Sequence, residues 1–139
     1  MIVFRIKEIE FEDDSILELI EKSKERAGKK VGFATRQTAM ESILDVAVSS
    51  KPGSPPNSHT GDLRRSIRYD YDPTLSSVIA GPVLLTRRSK DAVSAMEYGG
   101  QSQDVRGRVV RILARPFMSP AFADVLTNSV PEVFRDTFR

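Results

Sequence analysis

The sequence predicts an α+β domain: a small antiparallel sheet of three to four strands packed against a long N-terminal helix and a C-terminal helix. Three observations lead there. Apolar residues recur at helical spacing across Ile16, Ile20, Ala27, Val31, Ala34, Ile43, Leu44 and Ala47. Two strand-like runs, "LRRSIRYDY" and "LSSVIAGPV", flank an Asp72-Pro73 turn. The stretch "ARPFMSPAF" (Ala114 to Phe122) sets two prolines ahead of a second helical stripe, where a fixed φ suits a first turn. Helices and strands in this order gather the helices on one face of an antiparallel sheet.

Taken in order, Phe4 and Ile6 with their charged neighbours form an opening strand through about Lys7. Ser15 and Glu18 have capping-box spacing, and Asp13 and Asp14 complement the helix dipole, so the long helix starts here. It runs to about Ser50, with a bend or break expected at Gly28 or Gly32, each costing about 1 kcal/mol relative to alanine. "KPGSPPNSHTG" (Lys51 to Gly61) is a stiff loop. Ile67, Tyr69 and Tyr71 then share one strand face, Arg68 and Asp70 the other, and the returning strand stops at Gly81-Pro82. "DAVSAMEYGG" is a short helix ending at Gly99, where a left-handed residue fits. "QSQDVRG" is polar and expected to be exposed or mobile, and "GRVVRIL" is a third strand in the hairpin region. Past the prolines, Phe122, Val125 and Leu126 mark the C-terminal helix, with Ser119 placed to cap it. Ser129 and Glu132 bracket Pro131 at capping-box spacing. A restarted short helix carrying Val133, Phe134 and Phe138 follows, or a kink in one helix.

With 139 residues, the chain is read as one domain, 1–139, large enough to bury roughly two-thirds of its unfolded surface. The absence of cysteine excludes disulfides, zinc–thiolate sites and thiol catalysis. It suits a cytosolic product, and the alternating N-terminus lacks the apolar core of a signal peptide. No run reaches the ~18 apolar residues a membrane span needs. The formal net charge of +2 is nearly balanced, so a pI near 9.0 is thin support for nucleic-acid binding.

Catalytic chemistry is sparse. His59, the single histidine, lies beside Ser58 in "NSHTG". As a base it would serve Ser58 or Ser66, but adjacent residues rarely reach triad geometry and no oxyanion loop is present. A lone loop histidine is usually solvated. Glu10, Glu12, Asp13 and Asp14 have the composition of a cation site, but helix-dipole pairing explains them more simply. No phosphate-cradling glycine spacing occurs. The basic groups are Arg64, Arg65 and Arg68, then Arg87, Arg88 and Lys90, then Arg106, Arg108, Arg111 and Arg115. Nucleic-acid binding would want them on one face with aromatic platforms between.

Four stretches, in order, are "PPNSHTGDLRRSI", "VIAGP", "MEYGG" and "ARPFMSPAF". This set resembles the tail-completion, or neck and head–tail joining, proteins of long-tailed double-stranded-DNA bacteriophages and prophages. That family shows Thr-Gly-x-Leu-x-x-Ser-Ile, matched by Thr60, Gly61, Leu63, Ser66 and Ile67. Its Glu-aromatic-Gly is matched by Glu97, Tyr98 and Gly99. Its Pro-Phe-x-x-Pro-Ala is matched by Pro116, Phe117, Pro120 and Ala121. The likeness spans about residue 15 to the C-terminus. The proline-rich approach to Thr60 is longer than the family's, and Gln101 to Gly107 is a stretch where related chains vary.

The resemblance implies a non-enzymatic virion component without cofactor, metal or membrane. It would be made in the host cytoplasm and built into the neck or tail of the particle. It would form a homo-oligomeric ring between the DNA-filled head and the tail. The ring would meet a head-closure or adaptor ring and a tail terminator or tail tube, with passing contact with double-stranded DNA. Interface contacts are expected from Arg87, Arg88, Lys90, Glu97, Tyr98, Arg106 and Arg108, with Glu97 on an exposed short helix. Tyr98 is an interface anchor or a core residue. Thr60, Gly61, Leu63, Ser66, Ile67, Pro116, Phe117 and Pro120 are expected to be architectural. The rivals are a nucleic-acid-binding module using the arginines and a hydrolase using His59.

Overall fold

The structure is a computed structural model that describes residues 14–83, 90–104 and 106–137. The expected opening strand, Glu10, Glu12, Asp13, Arg87, Arg88 and Phe138 lie outside the described residues. Helix α1 runs Asp14–Ser42. Its outer face carries the pairs Glu18–Lys22, Glu21–Lys24 and Glu25–Lys29, each worth a few tenths of a kcal/mol. A short helix α2, Asp62–Ser66, leads directly into β1, Ile67–Asp72, which returns as β2, Ser77–Pro82. Then come α3 (Lys90–Tyr98), β3 (Gly100–Gln103), β4 (Val109–Ile112), α4 (Met118–Asn128) and α5 (Val130–Thr137). The fold is α+β.

Gly28 and Gly32 do not break α1. The helix passes through both without interruption, and the reason is contact. A Cβ on Gly28 would lie 2.6 Å from Cδ2 of Tyr71, and one on Gly32 would lie 2.6 Å from Cδ2 of Tyr69. The hairpin therefore rests its inward residues, Tyr69, Tyr71 and Val78, on a glycine-lined groove of the helix. Phe33 meets Tyr69 edge to face, with centroids 6.3 Å apart. The local propensity penalty is outweighed by a close helix–sheet approach that only glycine permits.

Helix α1 also stops earlier than its apolar spacing suggests. Beyond Ser42, the carbonyl of Leu44 accepts from the Ser58 amide at 2.8 Å, and that of Val48 accepts from Asn57 Nδ2 at 2.6 Å. The returning proline loop thus takes up carbonyls that a continuing helix would use. Val46 and Val48 are poor helix formers, which lowers the cost of the exchange.

The four described strands form two separate antiparallel pairs. β1 pairs with β2 in the register Ile67↔Pro82 to Asp72↔Ser77. Strand β4, expected beside this hairpin, instead pairs with β3, Gly100↔Ile112 to Gln103↔Val109. The polar "QSQ" run is thus a strand, since a backbone ladder needs no apolar side chain. Asp104 makes the local closure. Its Oδ1 accepts from the amides of Arg106 and Arg108, at 2.8 and 2.9 Å, and its Oδ2 accepts from Arg108 Nε at 2.7 Å. A short connection held this way carries a smaller closure entropy than a return to the distant hairpin.

Ser129 alone separates α4 from α5, and it keeps a helical conformation. Its amide donates to Val125 and its carbonyl accepts from Val133. Pro131 removes one donor, so the two segments form a nearly continuous arm against α1.

Candidate functional site: the Glu97 junction

The main core cluster joins residues from distant stretches. Ala39 and Ile43 come from α1 and its end, Ile67 from β1, and Phe117 and Ala121 from the proline elbow and α4. Leu63, Val93, Met40 and Met118 pack around them. Phe117 is 1% exposed and Ile67 is fully buried. The first and third motifs therefore share one apolar cluster.

The second motif reaches the third through a carboxylate. Glu97, near the end of α3, is 8% exposed. Its Oε2 accepts from the amides of Phe117 and Met118, at 3.0 and 3.1 Å. Its Oε1 accepts from the Ser119 amide at 2.8 Å and the Ser119 hydroxyl at 2.6 Å. The first amides of a helix have no partners within it, and α4 has no side-chain cap from its N-cap residue, Phe117. Glu97 supplies that cap from 20 residues upstream. Pro120, with no N–H, leaves no further donor at the next position. Burial pushes the Glu97 carboxyl up. The donors from Phe117, Ser119 and Met118 outweigh it and hold the group below the usual carboxylate range.

Two expectations change here. Ser119 does not cap α4 by accepting; the helix starts at Met118, and the Ser119 hydroxyl donates to Glu97. Glu97 is not a surface contact but the buried keystone of the elbow, because four donors satisfy its charge. Backbone bonds tie the same joint to its surroundings. The Arg115 amide donates to Met96, the Gly53 amide to Ala114, and Arg115 Nε to the Ser50 carbonyl. Gly99 holds φ at +76, and a Cβ there would meet the Ala114 amide nitrogen at 3.4 Å. Tyr98, between buried Glu97 and this glycine, is 76% exposed, so it is a surface residue rather than a core one.

The first motif is a compact turn. Gly61 adopts φ +72. Thr60 Oγ1 donates to Asp62 Oδ2 at 2.7 Å, and Arg65 Nη2 donates both to the Thr60 carbonyl and to Asp62 Oδ1 at 2.8 Å. The buried Ser66 hydroxyl donates to the Leu63 carbonyl, and Arg36 Nε donates to the Ile67 carbonyl at 2.9 Å.

Several of the described arginines are engaged within the fold. Arg64 pairs with Asp45, Arg65 with Asp62 and Arg108 with Asp104, while Arg115 donates to backbone. Arg68, Arg106 and Arg111 are exposed. Lys90 opens α3. His59 is exposed, Ser58 is buried and Ser66 is committed to Leu63, so no nucleophile–base pair assembles among them. Among the described residues no cluster of His, Asp and Glu could hold a metal, and no helix is long and apolar enough to cross a membrane.

Asp104 and the two helix glycines were not singled out from sequence as organising residues. A polar loop acid and a mid-helix glycine carry no distinguishing local signal. Compared with family models, curated proteins and solved structures, the chain finds no match.

Proposed function

We propose that the chain is a structural virion protein of the phage head–tail connector, a neck or tail-completion component. It forms a ring that joins the DNA-filled head to the tail through protein–protein contacts. The observation that carries this reading is the convergence of the resembling stretches on one joint. Leu63, Ile67, Phe117 and Ala121 share a core cluster, and Glu97 fastens the elbow. Residues common to such a motif set then act as one stiff corner, which suits a subunit gripped from several sides.

Apolar side chains left in solvent add support. Leu44, Val48, Leu75, Ile79, Val83, Val109 and Tyr98 are all exposed, and such surface is the material of subunit contacts. The exposed arginines Arg68, Arg106 and Arg111 would face neighbouring subunits or rings rather than the channel. A strongly positive lining would hold the passing duplex by its phosphates. The chain makes and breaks no covalent bond on this reading, and its partners are its own copies and the adjoining head and tail rings.

The test is particle assembly with and without the chain, imaged by negative-stain microscopy. Full heads and unattached tails are expected in its absence, with joining restored when it is supplied. Joined, infectious particles lacking the chain overturn the proposal. The nucleic-acid alternative predicts duplex affinity that falls steeply with salt; it has less behind it, because Arg64, Arg65, Arg108 and Arg115 are already engaged within the fold.

A further inference from the structure

The β3–β4 ribbon is thinly covered: Ser102 is its one buried residue. β3 packs beside α3, while β4 has no second strand partner among the described residues. An isolated two-stranded ribbon is marginal in water, and an open edge invites a further strand. Val109 and Arg111 share one face of β4 by their alternation, and Leu113 follows just past its end. Val109 is 64% exposed, Leu113 is exposed as well, and Arg111 has no ion-pair partner among the described residues.

A complementary surface lies on the outer face of the hairpin. Ile79 is 65% exposed and sits opposite Asp70 in the ladder. Asp70, Tyr71, Asp72, Pro73 and Ile79 line a shallow depression of about 340 Å³. One surface is a cation between two apolar side chains, and the other is a pair of carboxylates beside one. Within a single chain the two belong to separate sheets and do not pair.

We propose that β4 of one copy adds to the β1–β2 hairpin of a second copy, placing Arg111 in the Asp70–Asp72 depression and Val109 and Leu113 against Ile79. Main-chain bonding along the added edge would give affinity, and the charge match would fix which edge is chosen. The contact is head-to-tail, so repetition closes a ring when the rotation allows. It deepens the ring reading given above, which supplies its biological sense. The occupant is a second copy because the complementary charges and apolar groups are both carried by this chain.

The test uses the full chain, sized by light scattering after gel filtration, with circular dichroism to check folding. Wild type is expected to associate. Val109→Lys and Ile79→Lys are each expected to be monomeric. An equal mixture of the two is expected to give a dimer and nothing larger, because one intact half of the contact survives in each. The charge-swapped chains Arg111→Asp and Asp70→Arg are expected to lose association singly and to associate beyond a dimer when mixed, since both contacts are then complementary. They also serve if a lysine variant misfolds. The proposal is overturned if wild type stays monomeric at millimolar concentration, if the single variants keep the wild-type size, or if neither mixture restores association. Association by this contact in a chain that particles do not need would sink the connector reading alone. Particles that need the chain but tolerate Val109→Lys and Arg111→Asp would sink this contact alone.

Discussion

Glu97 shows how much one side chain does in this fold. Its carboxylate completes the unpartnered start of α4 and locks Phe117 into the core, so charge, helix direction and packing depend on the same two oxygens. Glu97→Ala leaves those amides without an acceptor and should cost about 2–3 kcal/mol. Glu97→Gln keeps the shape, loses the charge and should cost less; urea unfolding measures both. The pH dependence follows from the sign of the shift. The folded pKa lies below the usual 4.5, so this stabilisation is present above that value and is lost as pH falls through the folded pKa. The stability gap between wild type and Glu97→Gln should therefore narrow in acid. A gap unchanged between neutral and strongly acidic pH would contradict the capping role.

At the scale of elements, the contact between α1 and the hairpin reverses a familiar rule. Gly→Ala inside a helix ordinarily stabilises by about 1 kcal/mol. At Gly32 the new methyl would lie 2.6 Å from the Tyr69 ring and 2.9 Å from Cγ1 of Val78. Ring and branched side chain are packed and have little room to give, so Gly32→Ala should destabilise by about 1–3 kcal/mol despite better propensity. Thermal melting of the variant decides it, and a raised melting temperature would mean the hairpin yields easily. The same logic explains why β4 left the hairpin for β3. Asp104 pins a short turn locally, so β4 meets β3 before it could reach the hairpin.

For the whole molecule, the core is thin. Among the described residues Ala27, Ala39, Ala95 and Ala121 make up half of the buried apolar set, and Phe117, Ile43, Ile67 and Val125 make up the rest. Alanine burial contributes little, whereas each large side chain contributes about 1.5–3 kcal/mol. Much of the larger apolar surface, Ile79 and Val109 included, is exposed. Association that covers it should add stability by mass action. The melting temperature of wild type is thus expected to rise with protein concentration, while that of Val109→Lys stays level. A concentration-independent wild-type melt would argue for a self-sufficient monomer.

The sequence by itself determined the α+β class, the Asp72-Pro73 hairpin, the helix ending at Gly99 and the break between α4 and α5 just before Pro131. Each rests on spacing or backbone restriction acting over a few residues. The tertiary structure decided the rest. Glu97 looks like an exposed helical acid until the elbow is folded back onto it. Gly28 and Gly32 look like weak points until Tyr71 and Tyr69 are laid against them. "QSQ" looks like loop until β4 is placed alongside. In each case the energy comes from groups far apart along the chain, and only folding sets them within bonding distance.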